Sequence, residues 1–270
     1  MMERLEQFLE EDIGYGDITT DILVPDIDGA AEIVCQNDAV LAGIEEAVTL
    51  FESYSIECKL FADDGDRVKK GTAVMNIAGP LRNIITIERT ALNIMMRMSG
   101  IATATNDVLN VCRKHNKNIR IAGTRKTTPG FRAFEKKAII LGGGDPHRYG
   151  LDDMILVKDN HIKAAGGMKN VIDSLKRASF SKKVEIEVEN IDDALTAAKG
   201  GADIIMIDNA DPKKAKEIAD AVRKVSGAVI EVSGNITMEN AADYAKFADV
   251  ISMGSLTHSV HSIHFSLNVK

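Results

Sequence analysis

From about residue 118 onward, short apolar runs alternate with helical stretches, and no other feature restricts the fold of this chain as tightly. Strands are expected at 119–122, 154–157, 184–188, 204–207, 229–232 and 250–253, with helices at 131–141, 168–178, 192–199, 212–225 and 238–247. A helix between two strands returns the chain to the same end of the sheet, so the strands run parallel. A parallel sheet needs cover on both faces, as an open doubly wound sheet or as a barrel. The residues at the strand ends favour the barrel.

The first strand leads into Gly123, Thr124, Arg125, Lys126, Thr127, Thr128, Pro129 and Gly130, and the second into Lys158, Asp159, Asn160 and His161. The third carries Glu185, Glu187 and Glu189 at a period of two, which puts all three on one face. The fourth ends in Asp208-Asn209, the fifth in Ser233-Gly234-Asn235 and the sixth in Gly254-Ser255. In an α/β-barrel the carboxyl ends of the strands surround one site. The early loops are cationic (Arg125, Lys126, His147, Arg148, Lys158), the middle strands anionic (Glu187, Asp208) and the last loops small. Cations suit substrate carboxylates. Backbone amides of small loops that open onto helices suit a phosphate. The acids between them suit ribose hydroxyls or a Mg²⁺ ion bridging phosphate oxygens.

The first hundred residues read differently. A short helix is expected at 2–11, a turn-rich segment at 12–25, strands at 30–36, 40–42, 57–62 and 72–77, and a helix at 45–54. This is an α+β arrangement with local strand pairing. The polar turn at 63–71 resembles the hairpin of biotinyl and lipoyl domains. It lacks a Lys between apolar residues and reads as solvated. A helix is expected at 82–98, with Arg89, Asn93 and Arg97 on one stripe. The neighbouring Ile94-Met95-Met96 run implies that this helix is largely buried, and a buried Arg requires an anionic partner. Gly142-Gly143-Gly144 follows a helix rather than a strand, so it is a helix stop and not a dinucleotide fingerprint.

Composition removes several classes of function. A net charge of −7 argues against a general nucleic-acid or anionic-membrane binder, and the absence of Trp argues against a base-stacking surface. Cys35, Cys58 and Cys112 form no CxxC pair and fit inert thiols in a reducing compartment. No apolar run reaches the roughly 20 residues that span a bilayer, and the N-terminus has no basic-then-apolar leader. A cytoplasmic enzyme is expected.

Read together, Glu88-Arg89-Thr90-Ala91-Leu92-Asn93, Ser99-Gly100-Ile101-Ala102-Thr103, Thr124-Arg125-Lys126-Thr127-Thr128-Pro129-Gly130 and Gly142-Gly143-Gly144 resemble the quinolinate phosphoribosyltransferase family. The likeness continues in order through His147-Arg148, Lys158-Asp159-Asn160-His161, Glu185-Ile186-Glu187, Asp208-Asn209, Ser233-Gly234 and Ser252-Met253-Gly254. It implies an N-terminal α+β sandwich domain (1–103, joined by the tail 258–270) and an incomplete parallel α/β-barrel (104–257). It also implies a homodimer or higher assembly in which Arg89 enters the neighbouring subunit's site. The implied reaction converts quinolinate and 5-phosphoribosyl 1-pyrophosphate, with Mg²⁺, to nicotinate mononucleotide, pyrophosphate and CO₂.

By this resemblance Arg89, Thr124, Arg125, Lys126, His147, Arg148 and Lys158 receive the diacid. Glu187 and Asp208 face the ribose or the metal-bound pyrophosphate. Ser233, Gly234, Asn235, Gly254 and Ser255 cradle the 5-phosphate. Lys126, Lys158, Glu187 and Asp208 are the expected catalytic set. Two positions depart from the family pattern: Asn235 stands where a second Gly is usual, and Pro146 precedes His147 where Asn is common. A Pro-His-Arg spelling also occurs in related phosphoribosyltransferases of molybdate-transport operons. Those lack the Lys-Asp-Asn-His signature present here. A non-catalytic anion-binding protein is the remaining alternative.

Overall fold

The computed structural model describes residues 2–270; Met1, which the expected first domain includes, lies outside the described residues. The chain forms two compact units. The first opens with α1 (Met2–Ile13), α2 (Ile18–Leu23), β1 (Asp28–Cys35), β2 (Ala39–Val40), α3 (Ile44–Ser53), β3 (Glu57–Leu60), β4 (Arg67–Val68) and β5 (Ala73–Pro80). Helix α2 lies inside the segment read from sequence as turns. Its start is fixed by Asp17, whose side chain accepts the Thr20 N–H at 3.0 Å and the Thr20 hydroxyl at 2.5 Å.

Helix α4 (Leu81–Arg113) runs 33 residues, well past the end expected at 98. Ser99 and Gly100 look like a helix stop but serve packing instead. The Ser99 hydroxyl accepts the Ala42 N–H and donates to the Ala42 carbonyl, each at 3.0 Å. Gly100 lets the backbone of His261 and Ser262 cross the helix. The expected boundary at 103 therefore falls inside an unbroken helix, and the change between units comes at Asn106/Asp107.

The second unit carries β6 (Arg120–Ala122), α5 (Arg132–Leu141), β7 (Ile155–Val157), α6 (Asp159–Ala164), α7 (Met168–Leu175), β8 (Val184–Val188) and α8 (Ile191–Lys199). It continues with β9 (Ile204–Asp208), α9 (Pro212–Arg223), β10 (Val229–Ser233), α10 (Ala241–Ala245), β11 (Val250–Ser252) and α11 (Ser255–His258). Residues 137–143 at the end of α5 group with the first unit, where Lys137 pairs with Glu45 at 2.6 Å and Glu46 at 2.8 Å. The tail from Val260 rejoins that unit as β12 (Phe265–Val269), giving an antiparallel sheet of order β12-β1-β5-β3.

Among the described residues the second unit's strands form one parallel sheet of order β6-β11-β10-β9-β8-β7. The first strand thus pairs with the last, and the cycle is open between β6 and β7. A single Ala122–Asp145 bridge extends the β6 edge. This is an incomplete α/β-barrel. Capping side chains start its helices: Asn190 accepts the Asp193 N–H at 2.9 Å, and Asp211 accepts those of Lys213 and Lys214 at 2.9 and 3.0 Å ahead of Pro212.

Strand parity decides where the chemistry goes. Ile121, Ile186, Ile205, Ile230 and Ile251 are fully buried, as are Ala194, Ala197, Ala215 and Ala219 on the helices. Each such Ile contributes on the order of 1.5–3 kcal/mol through burial. On the other parity stand the polar Glu185, Glu187, Asp208, Glu231, Ser233 and Ser252, with Ile204 and Met206 among them. Apolar cohesion comes from one face of the strands, which leaves the other face free to carry charge.

Gly100→Ala tests the helix crossing. Ala gains about 1 kcal/mol of helix propensity. Its Cβ, however, would lie 3.2 Å from the Ser262 Cα and well inside contact with the His261 carbonyl oxygen. Clash outweighs propensity, and a net loss of about 1–3 kcal/mol is expected from urea unfolding; a stabilised variant would show that the tail yields freely.

Candidate active site

The strand ends of the second unit enclose one cavity of about 310 Å³. All six parallel strands or the loops after them reach it: Arg125 after β6, Lys158 after β7, Glu187 on β8, Asp208 on β9, Ser233 on β10 and Ser252 on β11. An open flat sheet would not bring its two edge strands, β6 and β7, around a common space; a curled one does.

The loop after β6 is tied down from α5. Glu135, fully buried, accepts the Thr128 N–H at 3.1 Å and the Thr128 hydroxyl at 3.0 Å, and Arg132 Nε donates to Thr127 Oγ1 at 2.9 Å. Thr124 Oγ1 accepts the Lys126 N–H at 3.1 Å, so this threonine shapes the turn as well as lining the cavity. The Lys126 carbonyl accepts the Thr257 hydroxyl at 2.8 Å. A Cβ on Gly254 would meet Lys126 Cδ at 2.9 Å, so glycine there makes room for the lysine stem. Arg125 reaches the cavity with its buried Nε lacking any hydrogen-bond partner.

Arg148 is 8% exposed and also lines the cavity, its Nη1 donating to the Met154 carbonyl at 3.3 Å. Burial, then the charge of Arg125, lower its pKa. Two guanidinium groups thus feel one another in a space with little water. The segment carrying Arg148 is braced by Lys136, a fully buried lysine that donates to the Pro146 carbonyl. Burial, followed by the Arg132 charge, takes the Lys136 pKa down to about 8.

Lys158 precedes α6, a helix where the sequence alone predicts a loop. His161 Nδ1 accepts the Lys158 N–H at 2.9 Å, and Asp159 pairs with Lys163 at 2.9 Å. Of the four residues Lys158-Asp159-Asn160-His161, Lys158 faces the cavity, and His161 fixes its backbone. Lys158 Nζ lies 3.9 Å from Glu187 Oε2. Burial raises the pKa of Glu187, and Asp208 adds to it; burial likewise raises Asp208, against the lowering charges of Lys126 and Lys158.

The loop after β10 shows why Asn235 is acceptable. Asn235, Gly234 and Asn209 have φ of 52°, 85° and 51°. Asn tolerates the left-handed region better than most residues. Asn235 Nδ2 donates to Asn209 Oδ1 at 3.0 Å, so the two loops are joined. A Cβ on Gly234 would come within 2.6 Å of Asn209 N. The cavity wall reaches Ser233 in this loop. Gly234, Asn235, Gly254 and Ser255 sit at the same strand ends outside it.

Three sequence readings change. Arg89 and Asn93 are exposed rather than buried, and Arg89 Nη2 lies 3.6 Å from Glu88; the helix buries the opposite side. His147 was expected to grip substrate. It lines the cavity, but its Nε2 lies 3.3 Å from Glu185 and 3.4 Å from Glu231, and its Nδ1 accepts the Arg148 N–H at 2.8 Å. Both ring nitrogens already face protein groups. The three glutamates at 185, 187 and 189 also part company: Glu185 is fully buried, Glu187 lines the cavity and Glu189, beyond the strand end, is exposed. Sequence reasoning missed Glu231 and Lys136. Parity would have found Glu231, which lies two residues before Ser233 in an otherwise apolar strand.

With this geometry in place, family comparison decides the lineage. Residues 17–99 match the quinolinate phosphoribosyl transferase N-terminal domain and residues 101–268 its C-terminal domain. The chain belongs to the quinolinate phosphoribosyltransferase family. A probable nicotinate-nucleotide pyrophosphorylase (carboxylating) of Methanothermobacter thermautotrophicus is 41% identical over 100% of this chain and 99% of its own length. The human nicotinate-nucleotide pyrophosphorylase (carboxylating) is 35% identical over 88% of this chain and 82% of its own. The solved nicotinate-nucleotide pyrophosphorylase of Francisella tularensis superposes with a TM-score of 0.93 at 34% identity, covering 100% of this chain and 95% of that one. The incomplete barrel and its antiparallel companion are thus the family architecture.

The raised pKa values of Glu187 and Asp208 carry a sign. Their protonated forms are favoured in the folded state, so stability is lost as pH rises from the unfolded toward the folded value. Ligand-free Glu187→Gln should therefore melt above wild type near about pH 7 and lose that advantage near about pH 3, below the unfolded carboxyl's ordinary value, where both states are protonated. A lower melting temperature at neutral pH would mean that the ion pair with Lys158 outweighs burial.

Proposed function

We propose that this chain joins quinolinate to the ribose of 5-phosphoribosyl 1-pyrophosphate, releasing pyrophosphate and CO₂ and leaving nicotinate mononucleotide, a step of NAD biosynthesis. Besides family membership, one observation carries the reading: Arg125, with an unpartnered buried Nε, stands against a buried Arg148 in the same cavity. Unpaired buried cations are costly, and a ligand that brings two carboxylates offsets that cost.

In this reading Arg125 and Arg148 grip the diacid, Lys126 and Lys158 add point charge, and Thr124 supplies a hydroxyl. Fixed cations orient the pyridine nitrogen toward the anomeric carbon. Departure of pyrophosphate leaves positive charge on the ribose, beside Glu187 and Asp208, and such prearranged charge complementarity supplies much of the rate. Once the nitrogen is alkylated, its positive charge stabilises the carbanion left on the adjacent ring carbon as CO₂ departs, and a proton from solvent completes nicotinate mononucleotide. Ser233, Gly234, Asn235, Gly254 and Ser255 would hold the 5-phosphate through backbone amides and hydroxyls of the late loops.

Mg²⁺ suits this donor set. Two half-buried carboxylates, pushed upward by burial and proximity, favour a hard cation close by. The ion would arrive on the pyrophosphate, near Glu187 and Asp208, and would neutralise the leaving group.

Arg89 is assigned across a homodimer interface. It is exposed on a surface where Ile18, Ile22 and Leu23 of α2 are 76%, 74% and 73% exposed. Such an apolar patch around an arginine suits a protein interface. No helix among the described residues is long and apolar enough to cross a membrane, and all three cysteines are unpaired, which fits a cytoplasmic enzyme.

The direct test is quinolinate- and Mg²⁺-dependent formation of nicotinate mononucleotide, with nicotinate as control. Turnover of nicotinate but not quinolinate would reject the substrate. Arg125→Ala should cost about 2–5 kcal/mol of quinolinate binding, some thirtyfold or more in affinity. An unchanged affinity removes Arg125 from the diacid site. Mixing inactive Arg89→Ala and Lys158→Ala chains should restore part of the activity; no complementation would place a complete site within one chain.

A further inference from the structure

Glu185 and Glu231 have no part in the chemistry above, yet they are 0% and 1% exposed. They rise from β8 and β10, with β9 between them, toward the same His147 nitrogen. Both Glu185 oxygens and Glu231 Oε1 lack an aligned hydrogen-bond partner. Two buried carboxylates this poorly paired are costly unless something specific compensates.

A divalent cation is one candidate, because His147, Glu185 and Glu231 offer ligand atoms within 4.8 Å of one another. The far side of the imidazole ring argues against it. Nδ1 accepts the Arg148 N–H at 2.8 Å, so its lone pair is engaged and it carries no proton. Burial lowers the His147 pKa and the two carboxylates more than reverse it, to about 10, but the Arg148 N–H at Nδ1 leaves no room for a second proton, so the ring carries its proton on Nε2, facing the two carboxylates. Metal ligation through Nε2 requires the opposite arrangement, with Nε2 bare and Nδ1 protonated.

We infer that Glu185 and Glu231 are positioning residues for the diacid site: their carboxylates flank His147 Nε2 at 3.3 and 3.4 Å, keep the ring proton there, and so preserve Nδ1 as the acceptor that locks the Arg148 backbone. The backbone bears the mark of this constraint. His147 has φ of 54°, a left-handed conformation that is strained in a residue other than glycine and persists only where its surroundings enforce it. Asp145 Oδ1 accepts the His147 N–H at 2.8 Å, and Lys136 holds the Pro146 carbonyl. With the bond at Nδ1, the turn is fixed on each side of His147, and the Arg148 guanidinium enters the cavity from a set direction despite the like charge of Arg125.

This inference rests on Arg148 as a ligand of quinolinate, and its test separates the two. Glu231→Ala and Glu185→Ala should raise the quinolinate KM about tenfold while the KM for 5-phosphoribosyl 1-pyrophosphate stays within about twofold. Glu231→Gln and Glu185→Gln should recover most of the loss, since an amide oxygen still accepts the ring N–H. Nitrogen NMR of the wild-type histidines, with His147 assigned by its loss in His147→Gln, should show Nε2 protonated and Nδ1 bare without substrate. A protonated Nδ1 overturns the inference. So does a stoichiometric divalent ion that resists chelator and is absent from Glu231→Gln, a Gln variant with quinolinate KM raised about tenfold, or a parallel rise of both KM values. If Arg148→Ala leaves the quinolinate KM unchanged while the NMR pattern holds, the diacid assignment fails and the hydrogen-bond lock stands.

Discussion

Like charges do not gather in a half-buried cavity unless something else holds each of them in place. Arg125, Lys126, Arg148 and Lys158 repel one another, and in an extended chain each would be solvated separately. The barrel gathers them because every one is fixed from behind. Glu135 and Arg132 hold the loop of Arg125, Thr257 holds the Lys126 carbonyl, His161 holds the Lys158 backbone, and Lys136 and His147 flank Arg148. These ties end on backbone groups and threonine hydroxyls and not on the four cationic heads, which keep their charge for a ligand. Such preorganisation is what makes fixed charge effective during a reaction.

The same requirement explains where the barrel finds its cohesion. Most small-barrel interiors are packed with branched apolar side chains. Here Ile121, Ile186, Ile205, Ile230 and Ile251 have the strand parity opposite to the cavity-lining residues, and alanines line the buried faces of the helices. Cohesion is supplied outside the polar ring, which allows Glu185, Glu187, Asp208 and Glu231 to be placed on strands without dissolving the core. Rigid strands carry these acids more accurately than loops would.

Acidic groups in the site divide into two kinds by depth. Glu187 and Asp208 lie along the cavity wall and face what a sugar and its leaving group would bring. Glu185 lies wholly below, and Glu231 is all but buried at the cavity floor; together they act on a histidine and not on substrate. Depth, not residue type, separates the roles, and a difference of two positions along β8 is enough to change one into the other.

Much of this was legible in the residues themselves. Alternating apolar runs and capped helices predict six parallel strands, each within a residue of where it occurs at either end, because burial and period are local properties. The polar strand ends mark the site for the same reason. What the sequence could not supply was direction. Ser99-Gly100 reads as a helix stop until the tail backbone, over 160 residues later, is seen to need that gap. Nothing in the sequence marks Lys136 until Pro146 is folded over it. His147 reads as a free cation until two strands that are 46 residues apart place carboxylates at its ring. A residue's type and period are written in the chain, but its partners are chosen only when distant segments close on one another, and those partners decide whether a charge is offered to a ligand or held within the fold.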